Sequence, residues 1–103
     1  MSIEPQYERL YREVEDLEHR VHDSTDRPDD SAAEQLERHI IALRDGIESN
    51  RKPRDIENRI KQIQSILDRA KHTTGSYMSI SDADRYYRIF EDMRMGLRRY
   101  PNY

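Results

Sequence analysis

Apolar side chains recur along this chain at intervals of three and four residues, in four separate blocks. Tyr7, Leu10, Val14, Leu17 and Val21 form the first series, and Leu36, Ile40, Leu43 and Ile47 the second. Ile56, Ile60, Ile63, Leu67 and Ala70 form the third, and Ala83, Tyr86, Phe90, Met93, Leu97 and Tyr100 the fourth. Alternating steps of three and four hold a side chain on one face of an α-helix, and a face kept over several turns is a seam for another helix. No alternating apolar and polar run of any length occurs, so the pattern predicts an all-α protein without a sheet.

Polar punctuation separates the blocks. Pro5 suits a first helical turn, and the stretch from His22 to Asp30, interrupted by Pro28, ends the first helix, which is expected over about 5–22. Ser31-Ala32-Ala33-Glu34 has the form of a capping box and opens a second helix, 31–49. Asn50-Arg51-Lys52 makes a short turn and Pro53 begins the third helix, 53–73, with Gly75 as its left-handed cap. Ser79 or Ser81 caps the fourth, 81–99, with Asp82 and Asp84 near its positive N-terminal end and Pro101 beyond it. Continuing the register of Ile47 would place Asn50, Arg54 and Lys61 in the core, so helices two and three are two helices and not one rod.

The expected fold is one domain, 1–103, an antiparallel bundle of four helices with a hairpin of helices two and three. Helix one carries a narrow seam, whereas Ile66, Tyr87 and Ile89 widen the stripes of helices three and four. Helix one therefore suits either the fourth place in the bundle or pairing with its own copy in a homodimer built on coiled-coil-like seams. Gly46 and Gly96 each precede a seam residue; tolerance near a helix end accounts for both more simply than close helix crossings. The linker Tyr77-Met78-Ser79-Ile80 is expected to fold over one end of the bundle.

Composition narrows what such a bundle does. Hydrophobic residues make up 34% and charged residues 38%, so the core is thin, and the absence of cysteine excludes disulfides, thiolate metal sites and thiol nucleophiles. No apolar run approaches the roughly 20 residues that span a bilayer, and nothing at the start reads as a signal segment, so no membrane association and a cytoplasmic location are expected. Residues 1–50 carry a balance of −8 and residues 51–103 one of +5. Acidic helix one lying beside basic helix three or four is the simplest use of that asymmetry.

Catalytic patterns are missing. No Gly-x-Ser-x-Gly elbow, phosphate loop or His-Glu-x-x-His segment is present, and the serines sit where capping explains them. Asp16, His19, His22 and Asp23 fall within two turns, yet the paired Glu-x-x-His segments of a di-metal bundle are lacking, so neither metal nor cofactor is expected. Recognition of another protein remains. Five of the seven tyrosines lie between Tyr77 and Tyr103, and Tyr, Met and Arg are interface types. Tyr87, Arg94, Met95, Arg98, Tyr100 and Tyr103 are the candidate partner-binding residues of a non-catalytic adaptor or regulator. The alternative is a small nucleic-acid-binding regulator using Arg51, Lys52 and Arg54, which the overall acidic pI of 5.8 opposes.

Overall fold

Pro5–Tyr7 form one 3-10 turn that leads into α1 (Glu8–His22), followed by α2 (Ser31–Glu48), α3 (Pro53–Ala70) and α4 (Ile80–Leu97). This is a computed structural model, and it describes residues 3–22, 31–73 and 77–103; among them there is no strand. Pro28 and the expected cap Gly75 lie outside the described residues.

Local chemistry explains the ends. Pro53 is the first residue of α3 after extended Lys52, where its missing N–H costs no helical hydrogen bond. Of the two serines available, Ser79 caps α4, its hydroxyl accepting from the Asp82 N–H at 3.1 Å. α2 closes through Asn50, whose φ of 51° is left-handed. The Arg51 N–H reaches the Gly46 carbonyl and the Asn50 N–H the Ile47 carbonyl, both at 3.0 Å, the paired bonds of a Schellman turn. Asparagine tolerates that backbone better than most residues with a side chain.

The boundaries differ from the sequence expectation by a residue or a few. α2 begins at Ser31 as expected and ends at Glu48. α3 stops at Ala70 instead of 73, because the His72 and Thr73 N–H groups bond only three residues back, to Arg69 and Ala70, and the Thr73 hydroxyl takes the Arg69 carbonyl at 2.8 Å. α4 begins at Ile80 and ends at Leu97, where Arg99 and Tyr100 likewise bond back to Gly96 and Leu97.

Side-chain contacts fix the topology as antiparallel neighbours in a ring. Tyr7 donates to the Arg51 carbonyl at 2.5 Å, Tyr11 approaches Glu48 and Glu18 pairs with Arg44, so α1 and α2 run in opposite senses. Glu57 meets Arg98, Gln64 meets Tyr87 and Lys71 meets Asp84, so α3 and α4 do the same. Asp16 accepts from Tyr86 at 2.8 Å and Arg20 pairs with Asp82 where α1 returns to α4, the pair of neighbouring helices that touch least. α1 thus takes the fourth place in the bundle, with Val14, Leu17 and Val21 fully buried within the chain.

The seams predicted from spacing form the core: Leu36, Ile40, Leu43, Ile47, Ile56, Ile60, Ile63, Leu67, Ala83 and Phe90 are all sealed from solvent. Tyr77 and Met78 join them from the linker, as expected of a segment folded over the bundle's end. Gly46 departs from expectation. A Cβ there would lie 3.1 Å from Ile56 Cδ1 and 3.2 Å from Arg59 Cδ, so it marks a close α2–α3 crossing, whereas a Cβ on Gly96 would meet nothing within 4 Å. The charge asymmetry is met in placement but not in pairing. α1 lies against α2 and α4, and its ion pair with α4 joins a basic residue of the acidic half, Arg20, to an acidic residue of the basic half, Asp82.

Candidate functional site

Glu57 is the one charged side chain fully buried among the described residues. It follows Ile56 on the flank of α3 that faces α4, and the helical step puts Gln64, seven residues on, along the same line. Arg94 and Arg98 of α4, four residues apart, reach its Oε2 at 3.0 and 2.9 Å, and the Tyr103 hydroxyl donates to Oε1. Arg94 is shared with Glu91, at 2.6 Å, and Gln64 donates to Glu91 and to the Tyr87 carbonyl, each at 3.3 Å. Burial pushes the Glu57 carboxyl up, but the hydrogen bonds from Tyr103 and Arg98 and the charges of Arg98 and Lys61 outweigh it, holding the pKa below the ordinary value. A carboxylate held in this way is a poor proton acceptor near neutral pH and a good clamp between helices.

Three candidate partner-binding residues, Arg94, Arg98 and Tyr103, thus converge on a carboxylate of their own chain. Tyr87 is half-buried with the Lys71 ammonium 4.2 Å from its ring centre. Met95 and Tyr100 lie elsewhere, along a groove of about 360 Å3 between the first turns of α1 and the last turns of α4. Met95 is 46% exposed there, and Tyr100 packs partly against the core. Glu57, Gln64 and Glu91 were not singled out from sequence; the available signal was the seven-residue spacing of Glu57 and Gln64, each one step after a core isoleucine.

Arg51, Lys52 and Arg54 are all exposed at the α2–α3 corner. The Arg54 guanidinium sits 5.3 Å from the centre of the Tyr103 ring, so the two sets of candidates meet at this tyrosine. Lys52, Arg54, Asp55, Asn58 and Tyr103 line a hollow of about 360 Å3. Its one acid, Asp55, pairs with Arg59 at 3.2 Å, and no other acid among the described residues forms an ion pair with Arg51, Lys52 or Arg54.

Among the described residues no three His, Asp or Glu side chains gather to hold a metal ion. Asp16 accepts from Tyr86, His22 faces Glu37 at 3.8 Å, and Asp23 is outside the described residues. No described helix is long and apolar enough to cross a membrane. Comparison of the chain with protein-family models, with curated proteins and with solved structures gives no match.

Proposed function

We propose that this protein is a non-catalytic adaptor or regulator that binds a short acidic segment of another protein at the α2–α3 corner. The observation that carries the reading is the set of exposed cations at Arg51, Lys52 and Arg54 beside the Tyr103 ring, with the neighbouring acid already paired to Arg59. Arg94 and Arg98 serve it indirectly by fixing Glu57 and, through it, Tyr103. A polyanion tracking across the surface is a poorer fit. Three cations neutralise about three phosphates, a small electrostatic term, and the protein as a whole is acidic, with a pI of 5.8.

The test is fluorescence anisotropy with a labelled oligoglutamate peptide and with labelled single- and double-stranded oligonucleotides, at low and moderate salt. The peptide is expected to bind, and the triple variant Arg51→Glu, Lys52→Glu, Arg54→Glu to lose it. Tighter oligonucleotide binding with a steep salt dependence, lost in the same variant, would put the nucleic-acid regulator in its place. Absence of binding to either probe would end both readings of this corner.

A further inference from the structure

We propose that the outer face of α4 beside the α1–α4 groove is a self-association surface, and that its occupant is a second copy of this chain. The two α4 helices would lie antiparallel about a twofold axis passing between Met95 and Gly96. This surface is separate from the basic corner, and the inference does not depend on what binds there.

Asp92, Met95 and Gly96 of α4, at steps that keep them on one face, line the groove together with Arg99, which stands on the closing turn two residues past Leu97. The face holds a knob and a hole side by side. Met95 is exposed, and the space where a Gly96 side chain would stand is open for 4 Å around. The charges around them are equally ordered. Asp92 and Arg99 are exposed, and neither has an ion-pair partner among the described residues, although Arg88 with Asp84 and Arg94 with Glu91 pair within the same helix. Asp92 stands three residues before Met95 and Arg99 three residues after Gly96.

That symmetry selects the occupant. In an antiparallel pair centred between positions 95 and 96, Asp92 faces Arg99 of the second copy and Met95 faces Gly96 of the second copy, and the axis makes each contact twice. Parallel pairing would set Asp92 on Asp92 and Arg99 on Arg99. Glycine lets the facing backbone approach closely enough for the methionine to seat. Arg9, on the α1 side of the groove and without an ion-pair partner among the described residues, adds positive charge to the same groove. One helix face with a flanking turn is a small patch, so a weak, concentration-dependent dimer is expected.

Sedimentation equilibrium of the full chain tests this. The wild type is expected to approach twice its 12.4 kDa mass as concentration rises. Asp92→Arg and Arg99→Asp each set like charges together twice and are expected to weaken the dimer at least about tenfold, with helix content by circular dichroism unchanged. An equimolar mixture of the two variants restores opposite charges at both contacts and is expected to dimerise again. A wild type that stays monomeric to about 1 mM, a dimer indifferent to both reversals, or a mixture that fails to reassociate would each overturn the proposal.

Discussion

The Glu57 carboxylate and the Arg94 guanidinium meet at 3.0 Å between α3 and α4, the one fully sealed charge among the described residues answered from the neighbouring helix. Such a pair repays its desolvation only while both members are present. Glu57→Ala removes the acceptor shared by Arg94 and Arg98 and is expected to cost about 3 kcal/mol of unfolding free energy. Glu57→Met combined with Arg94→Met replaces the pair with packed side chains and is expected to fall within about 1 kcal/mol of wild type. Urea denaturation of both variants, with the two single methionine variants completing the cycle, measures the difference.

Acid should loosen the same seam. Glu57 is held low against its own burial by Tyr103 and Arg98, and Glu91 is held low by the Arg94 hydrogen bond despite partial burial. The folded chain therefore releases these protons more readily than the unfolded one. The resulting stabilisation is complete above the ordinary glutamate value of 4.5 and is lost as pH falls through the lower folded values. The urea midpoint is expected to drop on acidification below that point, and less steeply in Glu57→Gln.

The two helical glycines should respond in opposite ways to added bulk. Gly96→Ala has open space and removes part of a helix penalty at the second-last residue of α4, so a gain of up to about 0.5 kcal/mol is expected at concentrations too low for association. Gly46→Leu would drive its side chain into Ile56 and Arg59, and a loss of about 1–3 kcal/mol is expected. Thermal unfolding of the two variants beside wild type decides the matter.

Alkali tests the α1 contacts. Burial first, with the nearby Glu4 charge, pushes Tyr7 up to about 12, and burial with the Asp16 hydrogen bond pushes Tyr86 up to about 12, against an ordinary 10.0. Their neutral forms stabilise the fold fully below the ordinary value, and that contribution disappears as pH rises towards the folded value. Tyr7 and Tyr86 are expected to ionise last, together with loss of helix, in ultraviolet absorbance and circular dichroism titrations, with Tyr11 and Tyr103 also raised. Tyr86→Phe should remove one late phase.

The helices were legible because each seam residue sits at a spacing that only a helix serves, and because Pro53 and Ser79 act on their own neighbours. Glu57 was hidden because a glutamate beside Ile56 reads as a solvated flank until α4 is laid over it. Gly46 and Gly96 look alike in sequence, each before a seam residue, and only the partner helix distinguishes the close crossing from the open groove. The candidate residues of α4 stand out in the sequence by type alone. Spacing could not tell that Arg94 and Arg98 turn inward to Glu57 while Met95 stays outside.

The ring of helices also has a kinetic meaning. α1 with α2, α2 with α3 and α3 with α4 are the well-packed pairs, each adjacent in sequence, and among the described residues a sparse α1–α4 seam joins the first helix to the last. Pairing of neighbours needs little loop closure, so folding on the microsecond to millisecond scale typical of helical bundles is expected, with closure of the ring last. Weakening Arg20–Asp82 or Asp16–Tyr86 should then leave the folding rate nearly unchanged and speed unfolding, because escape from the native state begins where α1 parts from α4.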